Sequence, residues 1–210
     1  MAVVTQPFDR GAMCAAPGKP NEELGEFWED DPWEIAFKHN LSAYERNRTY
    51  LNIGGQKFVD VSEVTSADID GDSRAATAVD YDNDGDPDLF VRQSGGDPLV
   101  LFRNDFPPAG FLKVSLRGTD SNSAGIGARV TAEFDGRTLT RELYPVNSFH
   151  SQTMPNVHFG LGESAGVKRL LIHWPSGRQQ EVLNVTGKQH ILVTEGKSQF
   201  HAVQPGQPLP

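Results

Sequence analysis

Apolar and polar residues alternate with a period of two through most of this 210-residue chain, the pattern of strands that bury one face. Such runs occupy residues 49–53 and 57–61 around a Gly54-Gly55 turn, then 75–79, 89–92 and 99–103. After a Pro107-Pro108-Ala109-Gly110 linker they resume at sandwich spacing, at 111–116, 128–134, 139–143, 157–159, 169–174, 180–183 and 190–193. Asp135-Gly136 and Pro175-Ser176-Gly177 are turn sequences that close hairpins. The fold class is therefore mainly β, with an antiparallel meander over 46–106 and a β-sandwich over 110–197. The ends read differently. Residues 1–45 are an irregular start rich in Gly, Pro and Ala and then a short segment, 21–44, that is helical in parts. There Asn21 is the N-cap, Glu22, Glu23 and Glu26 sit at the positive end of the helix dipole, and Trp28, Trp33, Ile35, Ala36 and Phe37 form the apolar face. Residues 198–210, with prolines, glutamines and few apolar side chains, are expected to be a flexible tail.

The meander is interrupted between 79 and 89 by Asp80-Tyr81-Asp82-Asn83-Asp84-Gly85-Asp86-Pro87-Asp88, five carboxylates in nine residues around one glycine. Carboxylates held this close repel, and a hard divalent cation with oxygen ligands relieves that repulsion most directly. Asp80, Asp82 and Asp84 fall at loop positions 1, 3 and 5, Gly85 allows the turn at 6, a carbonyl near Asp86 serves position 7, and Asp88 is at 9. Position 12 is Val91 where an EF-hand carries glutamate, so the unit is a strand, an ion loop and a strand, with Ca2+ as the expected ion and Asp80, Asp82, Asp84, Asp86 and Asp88 as candidate ligands. A second cluster, Asp68, Asp70 and Asp72, has Ser66 at position 1 and Arg74 at position 9. It lacks two carboxylates and reads as a degenerate or structural loop that adds at most a weak metal site.

Charge narrows the partners. Net charge is -9 at pH 7, and no basic stripe is visible, which argues against nucleic acid or an anionic membrane. No apolar run approaches the ~20 residues a membrane-spanning helix needs, and residues 1–17 show no apolar stretch of a secretory signal. The single cysteine, Cys14, excludes an internal disulfide. Enzyme signatures are absent: Gly125-Ile126-Gly127 lacks a third glycine and leads into a strand, no two of the six histidines have zinc-site spacing, and there is no Gly-x-Ser-x-Gly elbow. His158 and His173 alternate with apolar residues and read as partly buried strand residues, and Arg129 and Arg141 as solvated strand-face charges. The segment 144–152 is rich in hydrogen-bonding side chains, with Asn147, His150 and Gln152 as candidates for a pocket.

The residues also carry a family resemblance. Tyr50-Leu51-Asn52, Phe58-Val59-Asp60-Val61 and the Asp80–Leu89 stretch resemble an FG-GAP or VCBS-type repeat, like a calcium-bearing blade of integrin-like propellers. Leu116-Arg117-Gly118-Thr119, Asn122, Gly125-Ile126-Gly127-Ala128-Arg129-Val130, His158-Phe159-Gly160-Leu161-Gly162 and Trp174-Pro175-Ser176-Gly177 resemble the ASPIC/UnbV domain. The motif order is similar to that of cartilage-acidic-protein-like and bacterial UnbV-like proteins. The resemblance implies a propeller-blade-like meander with a calcium loop, an extracellular or periplasmic setting, and a binding module for a protein or glycan rather than an enzyme. UnbV-like relatives also imply an alternative, an accessory or biosynthetic enzyme with a small-molecule pocket near the 144–152 loop. One blade does not close a propeller, so the chain is read as a short member, a fragment or a self-contained remnant.

Overall fold

β-Branched and aromatic residues around tight turns make the first strands. The computed structural model describes residues 5–7, 39–41, 46–71, 73–93, 98–148 and 151–204. These residues contain strands and turns and no helix, and two compact units: Met1–Ala76 with Phe90–Phe102, and Thr77–Leu89 with Arg103–Pro210. In the first, β1 (Thr5–Pro7) pairs antiparallel with β2 (His39–Leu41). The helical reading of 21–44 meets a strand at 39–41, and the rest of that segment lies outside the described residues. β3 (Tyr50–Ile53) and β4 (Lys57–Asp60) form a hairpin with Tyr50 opposite Asp60 and Ile53 opposite Lys57. Its turn places Gly54 and Gly55 at positive φ, which glycine adopts without a steric penalty. β5 (Ser73–Val79), β6 (Asp88–Gln93) and β7 (Val100–Phe102) form a three-stranded sheet in chain order, and the division between the units cuts through β5 and β6.

The second unit holds β8 (Gly110–Arg117), β9 (Arg129–Phe134), β10 (Arg137–Glu142), β11 (Val146–Ser148), β12 (Ser151–Gln152), β13 (Asn156–Gly162), β14 (Gly166–His173), β15 (Gln179–Thr186), β16 (Gln189–Thr194) and β17 (Phe200–Val203). β10-β9-β14-β15 make one four-stranded sheet and β13-β8-β16-β17 another; neither is closed. Within these two sheets β8 and β16 run parallel, with Lys113 opposite His190, and the other ladders are antiparallel. Every second side chain turns inward, so Val130, Ala132, Leu170, Ile172 and Val182 of one sheet share a core with Leu112, Val114, Leu116, Phe159, Ile191 and Val193 of the other. Full burial of each such side chain contributes about 1.5–3 kcal/mol. The result is the expected sandwich. Residues 200–203, read above as part of a flexible tail, instead form β17 on the edge next to β16, with Phe200 packed against the core.

The loop between β8 and β9 is held by a charge that sequence spacing did not reveal. Glu195, just past β16, is buried; its carboxylate accepts the backbone N–H groups of Thr119, Asp120 and Ser121 at 2.9, 2.9 and 2.8 Å. The hydroxyls of Ser121 and Ser176 donate to the other oxygen. Burial alone would raise the Glu195 carboxyl, but the Ser176 hydroxyl and the three N–H donors outweigh it and hold the group down at about 2. Gly125-Ile126-Gly127 is a turn, as read: the Asn122 side chain bonds both the N–H and the carbonyl of Ile126. Arg129, read as solvated, pairs across the strands with Glu142 at 2.9 Å, though both are exposed. Arg141 lies over the Phe159 ring, 6.0 Å from its centroid.

Candidate metal centre

The aspartate loop leaves β5 at Asp80 and enters β6 at Asp88, and its own carboxylates shape it. Asp88 is buried and ties the start of the loop to the chain beyond β7: Oδ2 accepts Tyr81 N–H and Oδ1 accepts Asn104 N–H, each at 2.8 Å. Asp80 Oδ2 accepts Gly85 N–H at 3.1 Å, and Asp84 Oδ1 accepts Asp86 N–H at 2.9 Å. Asn83 and Gly85 have φ of 62 and 103°. Asparagine tolerates the first value; the second suits glycine alone.

Strands β8 and β13 brace this loop. The Phe111 ring covers Gly85, where an added Cβ would lie 2.0 Å from Phe111 Cε1. His158 Nε2–H donates to the Gly85 carbonyl at 2.8 Å, and its ring stacks on Phe111 with centroids 6.0 Å apart. Burial, with the nearby Lys113 charge, lowers the His158 pKa despite the bond to Gly85, favouring the neutral ring. Lys113 places its ammonium on Asp80 Oδ2; the Lys113 side chain is 15% exposed and that of Asp80 2%. Gly85→Ala is expected to cost about 2–4 kcal/mol through backbone strain and overpacking against the ring. That lowers Tm by on the order of 10 °C in a scanning-calorimetry comparison; a fall below about 2 °C would mean that ring and loop separate at little cost.

Within this frame Asp80, Asp82 and Asp88 each offer a carboxylate oxygen, all within 4.8 Å of one another. Asp82 is exposed and Asp88 buried. Asp80 Oδ1 is buried and has no hydrogen-bond partner among the described residues, a costly state for a carboxylate oxygen and one that a cation relieves. Asp84 and Asp86 do not join this cluster. Burial, then the Asp84 and Asp80 charges, pushes the Asp86 carboxyl upward. Of the five carboxylates read as ligands, the fold thus gathers positions 1, 3 and 9.

The other sequence candidates are placed differently. Arg46 takes Asp68 in hand, Nε to Oδ1 at 2.8 Å and Nη2 to the Asp68 carbonyl at 2.8 Å. Among the described residues Asp68 and Asp70 belong to no group of three possible ligands, and Asp72 lies outside those residues. Gln152 is exposed on β12, while His150 and the Asn147 side chain lie outside the described residues. What sequence reading missed are the braces Phe111, Lys113 and His158. Alternation along 111–116 put Phe111 and Lys113 on the polar side of a strand, but nothing in it told that the loop 25 or more residues upstream lies against that side.

Residues 118–200 match the family model described as ASPIC and UnbV, and residues 39–91 match that of an FG-GAP-like repeat. The repeat match takes in the whole aspartate loop and ends inside β6. No curated protein matches the chain. No helix among the described residues is long and apolar enough to cross a membrane.

Proposed function

From a chain that carries an FG-GAP-like repeat followed by an ASPIC and UnbV domain, we propose a calcium-binding β-protein that acts as an interaction module for a protein or glycan. One observation carries the reading: Asp80, Asp82 and Asp88 each bring a carboxylate oxygen within 4.8 Å of the others, and Asp80 also has a buried oxygen without a hydrogen-bond partner among the described residues. Asp80, Asp82 and Asp88 hold the ion, and backbone carbonyls and water complete its shell. Calcium suits such a set because it accepts six to eight oxygens in flexible geometry, whereas magnesium demands a strict octahedron. The bound ion ties the end of β5 to the start of β6 and stiffens the loop between them. The 39–91 repeat then serves as one blade-like meander. Its β3–β4 hairpin supplies an apolar surface for a partner, since Tyr50, Leu51 and Phe58 are 56, 53 and 68% exposed.

Calorimetric titration of calcium into chelator-treated protein, with magnesium as control, tests the ion. A single calcium-selective site is expected, and calcium at 100 times Kd adds about 2.7 kcal/mol of stability, raising Tm by roughly 5–10 °C. Neither heat nor a Tm change would sink the reading.

A further inference from the structure

A cavity of about 300 Å³ opens beside the aspartate loop, within the second unit, lined by Asp80, Asn83, Lys113, Lys188, Gln189 and His190 among others. Two lysines and one carboxylate residue line it, and Asp80 is the carboxylate that Lys113 already contacts. His190 is held in the wall by its Nε2 bond to the buried Ser115 hydroxyl at 2.9 Å. Two non-glycine residues at positive φ line this one cavity, Asn83 at 62° and Lys188 at 56°.

We infer that this cavity binds a small ligand through an oxyanion group, a carboxylate or a phosphate, and that Lys113 makes its binding depend on the cation. The inference rests on the proposed cation site. In the arrangement seen, Lys113 neutralises Asp80, and of the two lysines only Lys188 is left to attract an anion. A divalent ion on Asp80, Asp82 and Asp88 takes over that neutralisation and repels the ammonium, since like charges a few ångströms apart in a partly buried site repel strongly. The Lys113 head then turns into the cavity it already lines. There it joins Lys188 in a site whose charge is now positive. Because coupling is reciprocal, the anion in turn tightens the cation. The volume, at the small end of ligand pockets, suits a compact molecule.

The test uses the full chain labelled with ¹⁵N and two probes, acetate and methyl phosphate, titrated with chelator and again with saturating calcium. Backbone amides of Lys188, Gln189 and His190 are followed. Calcium is expected to lower the Kd of one probe about tenfold, and which probe responds tells carboxylate from phosphate. Lys113→Gln should tighten calcium binding, by removing the competing ammonium, and lose the calcium-dependent gain in anion affinity. Asp80→Asn frees Lys113 without any ion and should bind the same probe in chelator. A chain that binds calcium while these amides stay still in both titrations overturns the site, and equal anion affinity with and without calcium overturns the coupling. If the chain binds no calcium, the underlying reading has failed by itself; an Asp80→Asn variant that also ignores both probes then removes the anion site as well.

Discussion

Asp82→Ala is expected to weaken the proposed calcium binding by about a hundredfold or more, beyond the 10–100-fold typical of losing a supporting partner, while Asp84→Ala is expected to change it by less than about threefold. Spacing alone ranks these two aspartates as equals, at loop positions 3 and 5. Their surroundings separate them: Asp82 has an oxygen within 4.8 Å of those offered by Asp80 and Asp88, and Asp84 instead bonds the backbone N–H of Asp86. Asp82 is exposed, so its loss leaves the metal-free fold near its original stability and the effect is read on the ion itself. Parallel calcium titrations of the two variants decide the matter. Equal losses would restore the five-ligand reading, and an unaffected Asp82→Ala would remove this cluster as the site.

Glu195→Gln destabilises the second unit at neutral pH, lowering Tm by on the order of 10 °C, because charge-assisted bonds to buried partners are replaced by weaker ones and one acceptor becomes a donor. The pH dependence identifies the cause. Folding depresses the Glu195 carboxyl from 4.5 to about 2, so its stabilising contribution is fully present above about pH 4.5 and is lost as pH falls toward 2. The gap in Tm between the native chain and Glu195→Gln should therefore be constant from neutral pH down to about 5 and close progressively between 4.5 and 2. A gap that stays constant to pH 2 would mean that the carboxylate's charge contributes nothing and that only its shape is needed.

The Glu195 prediction turns on contacts remote in sequence, such as that with Thr119, and this marks how far residue order could be read. Most strands from 50 to 194 were legible because period-two alternation and Gly, Asn or Asp turns are local properties; Asp135-Gly136 and Gly177 stand at positive φ in the turns they predict, whereas the short β11 and β12 lie in the 144–152 segment read as a loop. The parallel pairing of β8 with β16 was not legible, since it joins segments more than 70 residues apart and leaves no local signature. β17 was missed because a short edge strand in a polar, Pro-rich stretch has too few apolar positions to show a period.

The same division runs through the candidate site. Sequence by itself determined that an acidic, glycine-centred loop joins two strands, because ion repulsion and the turn at Gly85 are matters of neighbouring residues. Tertiary structure alone decided that Asp80, Asp82 and Asp88 converge, that Asp68 is taken by Arg46, and that Lys113, Phe111 and His158 brace the loop. The physical reason is that a carboxylate's partner is set by what the fold carries to within a few ångströms of it, and for Asp80 that partner is an ammonium 33 residues away.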